Sequence, residues 1–83
     1  MEIKLLGSNT CSVCQGLERD VFSVLAELGL AAGVVKVDDV EEMARYEVFA
    51  LPGVVINGQV KSKGRVPTRQ ELKNWFKAAQ EGQ

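Results

Sequence analysis

Histidine is absent from this chain of 83 residues. Its absence excludes catalysis by an imidazole and most zinc sites with mixed cysteine and histidine ligands. The sequence has two cysteines, Cys11 and Cys14. A four-thiolate zinc site would therefore need a metal shared between two copies of the chain. We expect no metal and no other bound cofactor.

A charge imbalance and long apolar runs are also lacking. The chain has 10 basic and 11 acidic residues, a net charge of -1, and no basic stripe, which argues against nucleic acid as a partner. No apolar run approaches the roughly 18–20 residues needed to span a membrane. The start, Met1 to Lys4, lacks the features of a signal peptide. We therefore expect a cytoplasmic protein with no membrane partner.

The length and composition fit one compact core. Hydrophobic residues make up 46% of the chain, and we find no linker, repeat or low-complexity stretch. A second core would not fit in a chain of this size. We expect a single domain over residues 1–83 that acts as a monomer.

The first half of the chain predicts two strands and two helices. Residues 3–6 and 34–37 are short apolar runs, typical of buried strands. Apolar residues recur at helical spacing over residues 17–28. Asp38 and Asp39 then look like helix N-caps, and Asp39 with Glu42 has the spacing of a capping box. A short second helix should follow and end before Pro52.

The second half predicts a hairpin and a final helix. Asn57-Gly58, between the apolar residues 54–56 and the segment 59–61, favours a type I′ turn. Thr68 and Glu71 have capping-box spacing. They precede a series of residues spaced for one buried helix face: Leu72, Trp75, Phe76 and Ala79.

The predicted order is β-α-β-α-β-β-α, an α/β class. The first β-α-β unit implies parallel strands joined by a right-handed crossover. The hairpin adds antiparallel strands, so the four-stranded sheet should be mixed. Helices on both faces would complete a three-layer sandwich.

The cysteines form the motif Cys11-Ser12-Val13-Cys14 at the predicted start of the first helix. The first turn of a helix offers free N–H groups and a partial positive charge, which favour a thiolate and lower the thiol pKa. We assign Cys11 as the nucleophile. Cys14, nearly one helical turn later, can resolve a mixed disulfide formed at Cys11.

Other uses of the two thiols stay open. They could hold a soft metal such as copper(I), zinc or mercury, or serve a redox-sensing interaction module without turnover. A purely structural disulfide is disfavoured, because closing so short a loop constrains little of the unfolded chain.

Three segments carry a resemblance to a known family. They are Cys11-x-x-Cys14, the stretch from Ala50 to Gly58 (ALPGVVING), and Gly64-Arg65-Val66-Pro67. Together they resemble the thioredoxin superfamily, in particular the minimal thioredoxin- and glutaredoxin-like redox proteins of archaea and bacteria. The resemblance implies a thioredoxin-like fold and a thiol–disulfide oxidoreductase. It also implies protein disulfide substrates and electrons supplied by a reductase.

The resemblance also implies roles for particular residues. Pro52 matches the cis proline that faces the cysteines and keeps metal away from them. It leaves the backbone of Leu51 available to pair with an extended substrate segment. Gly64 matches the glycine that leaves room for the partner's chain. With Thr10, which precedes the nucleophile, these residues are the expected substrate contacts.

The sequence departs from the best-known members at several positions. No aromatic residue precedes Cys11, and no proline lies between the cysteines. Larger thioredoxins keep a buried carboxylate beneath the resolving cysteine, and we identify no counterpart here. Leu51-Pro52 and the lone Gly64 do not match the glutathione site of glutaredoxins.

Overall fold

The fold is described by a computed structural model, which covers residues 1–7 and 12–81. Its elements are β1 (Glu2–Leu6), α1 (Ser12–Leu28), β2 (Gly33–Val37), α2 (Val40–Arg45), β3 (Gly53–Ile56), β4 (Gln59–Lys63) and α3 (Arg69–Glu81). Their order confirms the predicted β-α-β-α-β-β-α arrangement and the α/β class.

The sheet has four strands in the order β2-β1-β3-β4. β1 lies parallel to β2 and antiparallel to β3, and β3 and β4 form an antiparallel hairpin. The sheet is therefore mixed, as predicted. β1 and β3 occupy the centre, where most of their side chains are apolar and are buried on both faces of the sheet. Glu2 and Lys4 are the two charged residues of β1.

Helices cover both faces of the sheet. α1 and α3 pack on one face, where the buried core consists of Ile3, Leu5, Leu17, Val21, Val24, Leu25, Val54, Ile56, Leu72 and Phe76. The short α2 lies on the other face over a smaller cluster of Leu6, Met43, Val48 and Val55. The predicted three-layer sandwich is thus confirmed. None of the helices within the described residues is long and apolar enough to cross a membrane.

Two local signals act as the sequence predicts. Asn57 and Gly58 both have positive φ angles, 50° and 81°, as a type I′ turn requires. At the start of α3, the backbone N–H of Glu71 donates to the Thr68 hydroxyl, and the backbone N–H of Thr68 donates to the Glu71 carboxylate, both at 3.1 Å. The second capping box is therefore formed.

The start of α2 differs from the prediction. Asp39 does cap the helix, but its carboxylate accepts from the backbone N–H of Glu41. The Glu42 carboxylate instead binds Lys4 at 3.3 Å and Arg45 at 3.2 Å. Glu42 lies on the side of α2 that meets the sheet, where a lysine offers a stronger partner than the N–H of the cap residue.

Candidate active site

Cys14 lies in the first turn of α1 and is partly buried. Its sulfur is disulfide-bonded in the structure. The other cysteine of the sequence, Cys11, and the predicted substrate contact Thr10 lie outside the described residues. Cys14 is therefore the cysteine of the motif whose surroundings the structure describes.

The sulfur of Cys14 packs against the backbone that follows β1. A Cβ atom added to Gly7 would come within 2.7 Å of the Cys14 Sγ and 3.0 Å of its Cβ. The backbone of Gly7 is itself held, because its N–H donates to the Val37 carbonyl at 2.9 Å. The end of the central strand thus forms one wall of the site.

Pro52, which directly precedes β3, lies at the same site. It is buried, and the Leu51–Pro52 peptide bond is cis. Its carbonyl accepts a hydrogen bond of 3.0 Å from the backbone N–H of Gly64. Gly64 has a φ of +77°, and a Cβ there would lie 3.0 Å from the Cβ of Ala50, so both conformation and space favour glycine. The structure therefore brings two predicted site residues, Pro52 and Gly64, together.

A cleft of about 220 Å³ opens beside Cys14. It is lined by residues from β1, α1, the end of β2 and the loop before β3: Leu5, Leu6, Gly7, Cys14, Gln15, Leu17, Glu18, Lys36, Val37, Asp38 and Pro52. We call this the Cys14 cleft. Cys14 and Pro52, two residues singled out from the sequence, both line it.

The Cys14 cleft is charged, which the sequence prediction missed. Lys36 Nζ and Glu18 Oε2 form an ion pair of 3.1 Å that joins β2 to α1. Asp38, interpreted above as a helix cap, lines the cleft instead, and Asp39 alone caps α2. One signal for Glu18 was available, since it follows Cys14 by four residues and so lies on the same face of α1.

Several apolar side chains remain exposed in the segments around the site. Leu51, a predicted substrate contact, is 39% exposed, and Phe49, two residues before it, is 82% exposed. Val13, beside Cys14 in the chain, and Val66, two residues after Gly64, are also exposed. Their exposure makes these segments candidates for contact with another protein.

The segment between β4 and α3 is held by a charge pair. The Arg65 guanidinium donates to both carboxylate oxygens of Glu71, at 2.9 and 2.8 Å. This bidentate pair, together with the N–H of Thr68, lowers the pKa of Glu71 from an ordinary 4.5 to about 2. The contact links the residue after Gly64 to the first turn of α3.

Within residues 1–7 and 12–81, no three cysteine or carboxylate side chains come close enough together to hold a metal ion. In the described part of the Cys14 cleft, the side chains that could donate electrons to a metal are Cys14, Glu18 and Asp38. Lys36 lines the same cleft. A lysine ammonium beside the carboxylates opposes binding of a cation.

Comparisons with known proteins point to one family. The family described as "Thioredoxin domain" matches residues 1–77. A curated thioredoxin of Methanothermobacter thermautotrophicus is 33% identical over 73 residues, covering 88% of this chain and 94% of that protein. A thioredoxin of Methanocaldococcus jannaschii is 35% identical over 80 residues, covering 96% and 91%. The solved structure of thioredoxin 1 from the thermophilic eubacterium Thermosipho africanus shares the fold, with a TM-score of 0.69 at 21% identity over 98% of this chain and 96% of that one.

Proposed function

This chain belongs to the thioredoxin domain family, and we propose on that basis that it exchanges a Cys11–Cys14 dithiol for disulfides in partner proteins. The observation that carries the proposal is the disulfide-bonded Cys14 in the first turn of α1, in one cleft with Pro52. The family match supports a redox role for that sulfur. The choice of protein substrates and of a reductase as electron donor is part of the proposal.

The proposed reaction has two exchange steps. The Cys11 thiolate attacks one sulfur of a substrate disulfide, which forms a mixed disulfide and releases the first substrate thiolate. The Cys14 thiolate then attacks the Cys11 sulfur, which forms the Cys11–Cys14 disulfide and releases the second thiolate. The substrate gains two electrons and the dithiol loses two. The two protons lost by the Cys11 and Cys14 thiols pass through water to the two product thiolates. A reductase with its own dithiol would restore the reduced form.

The two cysteines have different roles in this scheme, and replacing each one tests them. With dithiothreitol as electron source, Cys11→Ser should abolish reduction of insulin disulfides above the uncatalysed rate. Cys14→Ser should instead accumulate mixed disulfides with partner proteins, visible as heavier bands on non-reducing gels. A Ser12→Ala variant, which keeps both thiols, is the control for the motif region.

Two results would contradict the assignment. One is full insulin reduction by Cys11→Ser; the other is a Cys14→Ser protein that never forms mixed disulfides. Failure of the wild-type protein to turn over at all would leave the two thiols with a binding or sensing role and reject the enzymatic proposal.

We further propose that a partner protein contacts Thr10, Leu51, Pro52 and Gly64. Exposed apolar side chains in the flanking segments, chiefly Phe49, support a surface for an unfolded or extended segment. The backbone of Leu51 would pair with that segment, and the absence of a side chain at Gly64 would leave space for it.

A pair of phenylalanines allows a matched test of this surface. Phe49→Ser should raise the KM for insulin severalfold, because an exposed aromatic contact is lost, and should leave the rate with a small aromatic disulfide unchanged. Phe22→Ser is the control, since Phe22 is 52% exposed but lies in the middle of α1. Equal effects of the two substitutions on the insulin KM would contradict the proposed surface.

A further inference from the structure

Gly7 is a residue at which any side chain would collide with the sulfur of Cys14. A Cβ at position 7 would lie 2.7 Å from the Cys14 Sγ, closer than Cβ atoms approach other atoms in proteins. A side chain at this position therefore requires either the backbone or Cys14 to move. Gly7 is not a turn glycine with positive φ, since the positive φ angles in the described chain belong to other residues. Lack of space beside Cys14 is therefore the reason for glycine at this position.

The shift could not be taken up by Gly7 itself. Its N–H is bonded to Val37, and the preceding residue, Leu6, is paired with Val37 on one side and Gly53 on the other. This backbone is the end of the central strand and is fixed from both sides. An added methyl group would instead displace the Cys14 side chain, near the N-terminal end of α1.

We propose that Gly7 is a positioning residue for the second exchange step, in which the sulfur of Cys14 attacks the mixed disulfide. The inference rests on the proposed function of Cys14 as the resolving thiol. Thiol–disulfide exchange requires the attacking sulfur to approach in line with the bond that breaks, so a displacement of about 1 Å costs up to a hundredfold in rate. The first step uses Cys11 and does not depend on where Cys14 lies.

The test separates the two steps in a single experiment. The fully reduced protein is mixed with one equivalent of 5,5′-dithiobis(2-nitrobenzoate) in a stopped-flow instrument. Attack by Cys11 releases the first thionitrobenzoate, and attack by Cys14 releases the second. In Gly7→Ala the first phase should keep the wild-type rate, and the second should slow by roughly ten- to a hundredfold.

Gly33→Ala is the matched control. Gly33 is the first residue of β2, as Gly7 is the first residue after β1, but a Cβ at Gly33 meets nothing within 4 Å. Both phases should keep their wild-type rates in this variant. Equal slowing of both phases in Gly7→Ala would indicate a general structural defect and overturn the proposal, as would an unchanged second phase.

The outcomes also distinguish this inference from the proposed function. If the wild-type protein releases only one thionitrobenzoate, then Cys14 does not resolve and the proposed function fails first. If the wild-type protein releases both and Gly7→Ala releases the second equally fast, only the role of Gly7 is rejected.

A second variant decides the case in which Gly7→Ala does not fold. In Gly7→Ala/Cys14→Ala the sulfur that meets the new methyl group is gone. Folding of the double variant, measured by circular dichroism, would place the conflict at the Cys14 sulfur, as proposed. An unfolded double variant, with Cys14→Ala alone folded, would show that the sulfur is not the source of the conflict and would overturn the inference.

Discussion

Gly16 in α1 and Gly29, which follows the helix, should respond in opposite directions to the same substitution. Gly16 lies inside the helix and Gly29 follows its end, and an added Cβ meets nothing within 4 Å at either position. They differ in backbone conformation, since Gly29 has a φ of +65°. An alanine meets no steric conflict at either position. The two substitutions therefore differ only in how well alanine tolerates the backbone conformation.

The expected magnitudes follow from that difference. Gly16→Ala should stabilise the protein by about 1 kcal/mol, because alanine loses less conformational entropy in a helix interior. Gly29→Ala should destabilise it by about 1 kcal/mol, because an L-residue disfavours the left-handed region. For a domain of this size, each change corresponds to a shift of roughly 4–8 °C in Tm.

The assay is thermal unfolding of the reduced protein, followed by circular dichroism, with urea unfolding as a second measure. Both variants should unfold with the wild-type dependence on urea concentration. A Gly16→Ala protein that melts below wild type, or shifts of the same sign in both variants, would refute the reasoning from φ.

Three further substitutions address the core and the start of α3. Phe76→Ala should cost about 3–5 kcal/mol in urea unfolding, because Phe76 is fully buried between α3 and the sheet; a smaller loss would mean that the core can collapse into the cavity. Thr68→Ala should cost about 0.5–2 kcal/mol through loss of the cap, with Thr68→Ser retaining most of it. Because the folded-state pKa of Glu71 is lowered to about 2, its stabilisation is complete above pH 4.5 and is lost as the pH falls toward 2. Thermal unfolding between pH 5 and 2 should therefore show a shallower acid loss in Glu71→Gln than in wild type, and parallel curves would contradict this.

The element order could be predicted from the sequence because its signals are local. The Asn57-Gly58 turn, the capping box of Thr68 and Glu71, and the buried face of α3 each depend on residues only a few positions apart. The prediction was less successful where a distant partner competes. Glu42 pairs with Lys4 instead of completing the predicted capping box. Lys4 lies on β1, and no local sequence pattern connects it to α2.

The composition of the site depended on contacts between elements. The charges of the Cys14 cleft follow from the register of β1 and β2, which places Lys36 beside Leu5 and hence on the α1 face. A register shifted by one residue would point Lys36 to the other face, so the sequence alone could not identify its pair with Glu18. The contact of Gly7 with Cys14 likewise depends on how α1 packs against the sheet. The roles assigned to the site residues all stay predictions: Thr10, Cys11, Cys14, Leu51, Pro52 and Gly64.

The central position of β1 has a consequence for engineering this protein. The last residue of the strand, Leu6, is paired with Val37 on one side and with Gly53 on the other. The wall of the cleft at Gly7 and the wall at Pro52 therefore share one point of attachment. We therefore expect any change that shifts the backbone of Leu6 to move both walls at once.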